Sequence, residues 1–452
     1  MLPLLNLSSD PDQEYFSDGM TDELITDLAQ ARELKVVSRT SVAQYKGTRK
    51  PLPQIARELG VDAVVEGSVL REGERVRITA QLIQASTDRH IWAQSYEGDL
   101  RNVLSLQARI AESIADEVRL KLTTAERNRL ASPRSYDPEA YDLYLRGRYL
   151  AAHRNEPALQ EAIQYYRQAA AKDPSFALSY AGLADAETLL ALFGGGDSWR
   201  SEAAADARRA IALDDTLAEA HTSLAAVSVL NWDWDQAEKE FRRAVELNPN
   251  DAQTHHWYGN LFLGPRGRHP EAIAELQRAL DLDPLSLIIN TDLGFAYFLA
   301  GRYDQAYAQY QKVLAVDSNF LPAHYQLIAY YGQRQLYRQE VVEMVRTSEL
   351  ARRPLIAEDE LRLSQDPQKL FRTMAATGGS FNHPEEYAGS YPASIEAYLI
   401  TGDKAQALAA LDNAYRKHDP YMIFIAVNPL LSPLRSDPAF QELERKVGLL
   451  GR

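Results

Sequence analysis

Two hydrophobic patterns divide the chain, and the first is typical of a β-sheet. In 75–82 polar and apolar residues alternate strictly, which predicts a strand with one face on a core and the other in water. Short apolar runs bounded by polar residues predict further strands at 2–7, 34–38, 62–70 and 90–96.

Helical patterns are interleaved with these strands. Asp18-Gly19 indicates a turn before one helix, and Pro51 precedes a second, short helix at 52–59. Over 100–122 apolar residues recur at the spacing of an amphipathic helix. The predicted order is βαβαβββα, which describes an α/β (α+β) domain with an open, mixed sheet and helices over its buried face.

The second pattern is a repeat of 34 residues. When 218–251 is numbered from 1 to 34, small residues fall where two helices touch and large residues fall where gaps need filling. The residues that mark this pattern are Leu224, Ala225, Trp234, Ala237, Phe241, Ala244 and Pro249. The same positions recur in 252–286, with one inserted residue, and in 287–320.

Weaker copies flank these three repeats. Two earlier copies carry insertions, the second around a glycine run at 194–196 that predicts a flexible loop between helices. In 321–353 Glu340 stands where alanine is usual, and a last copy occupies 388–421. A helix that begins near Pro438 is expected to cap the open end of the stack.

This second region resembles the tetratricopeptide repeat (TPR) family over most of 140–421. The resemblance implies an all-α, right-handed superhelical solenoid, in which stacked helix pairs bury their apolar faces against each other. It also implies a concave groove, lined by the first helix of each repeat, that binds a peptide or helix segment of a partner protein.

Four separated blocks of the first region resemble the TolB-like (FlgO-like) amino-terminal domain. They read LPLLNLSSDPDQEYFSDGMTDELITDL, VVSRTSVAQYKG, VDAVVEGSV and VRITAQLIQASTDRHIWAQSYEGDL. In bacteria this domain, followed by TPR repeats, commonly forms the sensory or scaffolding half of signalling proteins. The other half is a winged-helix DNA-binding domain, a nucleotide cyclase or a Ser/Thr kinase. Because nothing precedes the first strand here, we expect the effector half to be absent from this chain.

The expected organisation has five parts. They are a TolB/FlgO-like domain at 1–122, a linker at 123–139, TPR repeats at 140–353, an irregular or helical insertion at 354–387, and a last TPR-like repeat with a capping helix at 388–452.

Composition narrows the functional classes. The formal net charge of −14 makes the chain a poor binder of polyanions, so no nucleic-acid partner is expected. The basic cluster of Lys46, Arg49 and Lys50 is interpreted as a solvated loop, with an anion contact as the alternative. The absence of cysteine excludes thiol nucleophiles, disulfides, zinc fingers and iron–sulfur clusters.

The sequence also lacks the features of membrane proteins and exported proteins. No run approaches 18 apolar residues, and the first residues have no basic region or cleavage site. We therefore expect no membrane span and a cytoplasmic location. A periplasmic location is the alternative if the true start lies upstream and includes a membrane anchor.

The sequence motifs of the common catalytic classes are missing. There is no GxxxxGK[ST] phosphate loop, no HRD or DFG kinase motif, no HExxH zinc motif and no GxSxG elbow. The adjacent His255 and His256 would point about 100° apart on a helix, so they cannot clamp one metal. We expect no enzymatic activity, no cofactor and no metal.

The family resemblance places the groove at repeat positions 2, 5, 9 and 12. The candidate binding residues are Asp185, Thr222, His256, Asn260, Thr291, Phe295, Phe298 and Tyr325. Asn260 stands where some family members grip a peptide backbone, but the Lys and Arg residues of the chaperone-binding carboxylate clamp do not accompany it. For each residue taken alone, packing or exposure without a ligand is the alternative.

The leading hypothesis is a non-enzymatic, protein-binding scaffold or sensor module of a bacterial signalling or regulatory system. The alternative is the regulatory half of a transcription regulator, nucleotide cyclase or Ser/Thr kinase. A stand-alone enzyme is a third class, which the missing motifs disfavour. The sequence does not indicate the oligomeric state.

Overall fold

The computed structural model describes residues 1–118, 136–194, 196–351, Phe371 and 393–450. Residues 1–118 form a small mixed domain, here called the head. Its elements are β1 (Leu5–Asn6), α1 (Glu14–Ala29), α2 (Arg39–Ala43), α3 (Leu52–Leu59), β2 (Ala63–Glu72), β3 (Arg75–Gln84), β4 (Arg89–Asp99) and α4 (Val103–Glu117).

The head contains a four-stranded mixed sheet in the order β1-β2-β3-β4. The strand β1 is parallel to β2, and the other neighbours are antiparallel. The predicted alternation is confirmed in β3, where Ile78, Ala80 and Leu82 are buried and the residues between them face outward. The helices α1 and α4 cover the buried face of the sheet.

Two predictions for the head are wrong. The run 34–38 is not a strand, because its backbone bonds outside the sheet: Ser38 N donates to the carbonyl of Leu282, 2.8 Å away. Asp18-Gly19 is not a turn but lies inside α1. The glycine is required there by packing, since a Cβ on Gly19 would lie 2.7 Å from the side chain of Leu145.

Most of the other described residues form consecutive helix pairs, here called the array (138–350 and 393–416). The pairs are α5 (Pro138–Ala151) with α6 (Glu156–Lys172), α7 (Ala177–Leu192) with α8 (Asp197–Leu213), α9 (Ala218–Leu230) with α10 (Trp234–Leu247), α11 (Ala252–Trp257) with α12 (His269–Leu282), α13 (Leu287–Leu299) with α14 (Tyr303–Val316), α15 (Leu321–Gln333) with α16 (Tyr337–Leu350), and α17 (Ala393–Ile400) with α18 (Lys404–Arg416).

Small and large residues alternate across the contacts between helices. The ring of Tyr166 packs against Gly147 and Gly182, where an added Cβ would lie 2.5 and 2.7 Å from it. Tyr310 packs in the same way against Gly294. Because these aromatic rings fill the space that the glycines leave, pairs of helices can approach closely and stack.

The inserted residue of the repeat 252–286 has a visible structural effect. The helix α11 does not end at Trp257 but continues as a π-helix over Tyr258–Leu263. A π-turn accommodates one extra residue without breaking the helix. The insertion therefore leaves the following helix in place.

The chain ends in a tail segment, defined here as 417–449. It contains two 3₁₀ turns, Pro420–Phe424 and Pro429–Leu434, and the helix α19 (Pro438–Lys446). The predicted helix is present and packs on α18, but the tail also crosses to the earlier repeats. Apart from Phe371, the predicted insertion at 354–387 lies outside the described residues, as does most of the predicted linker at 123–139. Among the described residues, no helix has the length and apolarity needed to cross a bilayer.

Candidate functional site at the junction of head and array

The head packs against the first helices of the array, on the face that the sequence predicts to bind partners. Its helix α1 lies along α5. Arg148 on α5 forms ion pairs with two carboxylates of α1. Its Nη2 lies 2.5 Å from Asp22 Oδ2, and its Nε lies 3.7 Å from Glu23 Oε1. Tyr144 donates its hydroxyl to the same Glu23 carboxylate at 2.8 Å. Every partner in this cluster is mostly buried, so the ion pairs are only weakly screened by water.

A second cluster joins the two regions beside the first. Asp142 accepts from the Tyr15 hydroxyl at 2.6 Å and from Arg71 at 2.5 Å, and Arg146 bonds both Asp142 and Tyr15. Burial alone would raise the pKa of Asp142, but the hydrogen bonds from Tyr15 and Arg71 hold it below its usual value. Asp142 therefore remains an anion that ties head to array.

Further contacts reach the fourth helix pair. Asn250 donates its side-chain amide to the carbonyls of Ala29 and Ala31, at 3.1 and 2.9 Å. The hydroxyl of Ser41 donates to Asp283 at 2.5 Å, and the backbone N–H of Leu285 donates to Ser41 at 3.0 Å. The head is thus held from the first pair to the fourth.

A cavity of about 250 Å³ remains between the two regions. Its walls come from α1, the segment 36–40, and the first helices α5, α7, α9 and α11. The cavity is large enough for several water molecules, or for one side chain or chain end. Three predicted binding residues line it: Asp185, Thr222 and His256.

The charged groups of the cavity carry both signs. Asp185 accepts from Gln253 Nε2 at 2.6 Å, and burial raises the pKa of Asp185 and of Asp283 above the usual carboxyl value. Arg39 and Arg154 bring positive charge to the same walls. A lining of this kind offers donors and acceptors to a peptide backbone or a polar side chain.

Two predicted residues take part in a polar network behind the cavity wall. Asp292 accepts from His256 Nε2 at 2.6 Å and from Asn260 Nδ2 at 3.0 Å. Thr291 is fully buried and donates to the carbonyl of Leu287 one turn earlier. The network fixes the ring of His256, while Asn260 and Thr291 do not line the cavity.

The remaining predicted residues lie further along the array. Phe295 is 3% exposed and packs edge-to-face against Phe424 of the tail, with the ring centroids 5.1 Å apart. Phe298 is buried against Tyr303, and Tyr325 is half-buried on α15. The structure therefore gathers three of the eight predicted residues at the cavity and covers Phe295 with the chain's own tail.

The tail makes several other contacts with the third and fourth helix pairs, at the loop between the two helices or at the start of the second helix. The rings of Trp232 and His418 are stacked, with their centroids 3.9 Å apart. Trp234 Nε1 donates to the carbonyl of Val447 at 2.7 Å. Arg266 donates to the carbonyl of Gly448 at 3.1 Å. The tail therefore connects the last helix pair to the third and fourth.

A recurring polar contact was not predicted from the sequence. A histidine at repeat position 4 bonds a glutamate of the second helix through Nδ1 and a loop carbonyl through Nε2. The histidine–glutamate pairs are His221–Glu240, His255–Glu275 and His324–Glu343, at 2.5, 2.5 and 2.7 Å. Their regular spacing was the available signal. The pairs fasten the two helices of a repeat, and across the described part of the chain no group of three metal-ligating side chains meets.

The basic cluster of the head lies in an exposed loop, as interpreted from the sequence. Within this loop Lys46 forms ion pairs with Glu14 and Asp18 of α1, at 2.5 and 2.7 Å. Lys50 pairs with Glu58 at 2.8 Å. These lysines are paired within the head.

Comparison with known proteins identifies the repeats. Two tetratricopeptide repeat family models match residues 231–286 and 266–329. A Rhizobium meliloti (strain 1021) protein named "Putative adenylate cyclase 3" is 36% identical over 239 residues, which is 51% of this chain and 40% of the relative. The small glutamine-rich tetratricopeptide repeat-containing protein 2 of Mycosarcoma maydis is 33% identical over 87 residues, 19% of this chain and 24% of the relative. The chain thus spans less than half the length of either relative.

Among solved structures, the APC/C hetero-tetramer Cut9-Hcn1 covers 79% of this chain at 16% identity, with 57% of that chain covered and a TM-score of 0.43. A thermophilic TPR protein of Thermus thermophilus covers 41% at 22% identity, with 94% of that chain covered and a TM-score of 0.35. The family matches lie within the array, and the resemblance of the head to the TolB-like family stays a prediction. The carboxyl-terminal region of the chain carries tetratricopeptide repeats, which mediate contacts between proteins.

Proposed function

We propose that the chain is a non-enzymatic, protein-binding scaffold or sensor module of a bacterial signalling or regulatory system. The repeats form a right-handed superhelical solenoid whose concave groove receives a segment of a partner protein. The TolB-like head occupies one part of that groove. The observation that carries the proposal is the polar cavity that remains between head and repeats, with Asp185, Thr222 and His256 in its wall.

The cavity favours a partner segment that inserts a polar side chain or a chain end. Its volume is too small for a folded element, and its walls present charges of both signs together with hydroxyl and amide groups. Because the head supplies part of the wall, a change in how the head sits would change the affinity for the partner. This coupling is what a sensor requires.

The test is affinity capture with variants of the whole chain. The double variant Asp185→Ala/Gln253→Ala removes two polar groups from the wall, while Gln160→Ala/Glu161→Ala makes the same kinds of change on the exposed side of α6. We expect proteins captured by the wild type to be lost with the first variant and kept with the second. If both variants keep every partner, the groove proposal fails.

The second candidate function is the regulatory half of a nucleotide cyclase whose catalytic domain is not in this chain. It is favoured over a transcription regulator or a kinase by the relative named as an adenylate cyclase. The purified chain is then expected to show no turnover of ATP. A longer product that contains both parts should change its cyclase activity when Asp185 is replaced. Turnover by the chain alone would contradict both candidates.

A further inference from the structure

The strand β4 is an uncovered edge of the sheet. It pairs with β3 on one side only, and it is eleven residues long. The helix α4 packs on one face of its second half, where Leu106 contacts Gly98 and Arg109 lies over the ring of Tyr96, and it adds no strand to the edge. In the first half no such cover exists among the described residues, and Ala93, Gln94 and Ser95 are all exposed.

Such an edge is a template for another strand. Natural proteins usually block long edges with lysine, proline, a strong bulge or a covering element. The strand β4 has neither lysine nor proline, and its irregularity is confined to the register shift opposite Leu82/Ile83, near its beginning. It also exposes 44% of Ile91 beside the half-buried Trp92. These features favour the pairing of this edge with another strand.

The charges along β4 are complementary to β4 itself. The strand begins with Arg89 and His90 and ends with Glu97 and Asp99. In an antiparallel pair of two β4 strands, the basic beginning of one lies beside the acidic end of the other. If the two-fold axis passes through Gln94, Trp92 lies opposite Tyr96, and cross-strand aromatic pairs of this kind are stabilising.

We propose that two copies of this chain associate through their β4 strands, in antiparallel register about Gln94, to form one continuous eight-stranded sheet. The opposite edge of each sheet is β1, which is only two residues long. It offers too little backbone to add another strand, so growth ends at the dimer. The interface is isologous, with the same surface contributed by both copies.

The position of Gln94 on the axis provides a direct test. In the dimer each Gln94 faces its counterpart, so Gln94→Lys or Gln94→Glu places like charges together, whereas the residue is exposed in the single chain. We expect sedimentation equilibrium of the full chain at about 1–100 µM to show a dimer for the wild type. Each variant alone should weaken the dimer by about tenfold or more. The matched control Gln160→Lys, on the exposed side of α6, should leave the dimer unchanged.

Mixing the two variants makes the test specific for the register. An equimolar mixture of Gln94→Lys and Gln94→Glu should form heterodimers as readily as the wild type forms homodimers, and this rescue also shows that both variants are folded. A wild-type chain that stays monomeric at about 100 µM overturns the proposal. It is equally overturned if Gln94→Lys dimerises like the wild type, or if the mixture fails to associate.

Discussion

Two buried junctions of this molecule use ionisable groups in opposite ways. Where the head meets the first helix pair, Arg148 is flanked by Asp22 and Glu23, so opposite charges are brought together. Where the sixth pair meets the seventh, Glu340 and Glu396 face each other, 0% and 3% exposed. Neither carboxyl has a positively charged partner among the described residues, and three of their four oxygens lack a hydrogen-bond partner there.

The two arrangements respond differently to loss of a group and to pH. Removing one member of a buried ion pair leaves a charge without compensation, which is costly. Two buried carboxyls that face each other instead resist ionisation, because each charge is unfavourable when buried and repels the other. Burial and repulsion by Glu396 raise the pKa of Glu340 to about 10, and burial raises the pKa of Glu396 to about 8. Opposite charges therefore stabilise the first junction, whereas the second junction is stable when its carboxyls are neutral.

The largest effect is expected at the first junction. Replacement of Arg148 by Ala leaves Asp22 and Glu23 buried without their cation, so we expect a loss of about 3–5 kcal/mol of unfolding free energy. Urea denaturation followed by circular dichroism measures it. The matched change Arg208→Ala, on the exposed face of α8, should cost less than about 0.5 kcal/mol. Equal losses in the two variants would show that the buried pairs have no special role.

The second junction should become more stable when a carboxyl is made permanently neutral. A carboxyl whose pKa is raised on folding binds its proton more tightly in the native state. Its stabilising effect is therefore full at low pH and is lost as the pH rises above the usual carboxyl pKa towards about 8–10. We expect Glu340→Gln to raise the stability of this junction by about 1–3 kcal/mol at pH 9 and much less at pH 5.

Hydrogen exchange of α16 and α17 at the two pH values would report the gain at this junction locally. Glu161→Gln on the exposed face of α6 serves as the control and should show no difference. A Glu340→Gln variant that is less stable than the wild type at pH 9 would contradict the neutral-state account.

A neutral contact between head and array should give an intermediate effect. Asn250→Ala removes the hydrogen bonds to the carbonyls of Ala29 and Ala31, and also the one that Asn250 accepts from Arg278, so we expect a loss of about 1–2 kcal/mol. Faster hydrogen exchange in 29–38 should accompany it. Unchanged exchange there would contradict the role of Asn250 in holding this segment of the head.

The smallest effect is expected within a single repeat. Burial lowers the pKa of His324, but the hydrogen bonds to Glu343 and to the Ser318 carbonyl outweigh burial and raise it above the usual value. The charged pair therefore stabilises the fold below about pH 6.5 and loses its effect as the pH rises through the raised pKa. We expect His324→Gln to cost about 0.5–1 kcal/mol at pH 6 and less at pH 9, by urea denaturation. His153→Gln, at an exposed histidine, is the control.

The part of the fold that depends on local spacing could be predicted from the sequence. Alternation in 75–82 predicted β3, and the recurrence of residues such as Ala225 and Phe241 predicted the helix pairs, because these positions pack against neighbours close in the chain. The run 34–38 was mistaken for a strand since an apolar run fits a sheet and a domain interface equally well.

The site was harder to predict because its contacts join distant residues. Asn250 bonds residues about 220 positions away, and no periodic pattern records such a pairing. Repeat numbering correctly placed Asp185, Thr222 and His256 on first helices. The numbering could not show that the head lies over these three residues, or that Phe424 covers Phe295. Those outcomes depend on how separate surfaces fit each other in space.

The tail has a consequence for how the molecule forms during synthesis. A stack of repeats can fold from its first unit onwards, since each unit needs only its neighbour. The tail is synthesised about 200 residues after Trp232 and Trp234, which it contacts. The repeats that carry these residues can therefore stack before their partners in the tail have been made. A chain that stops before residue 417 would keep its stacked repeats and lack every contact between the tail and the third and fourth helix pairs.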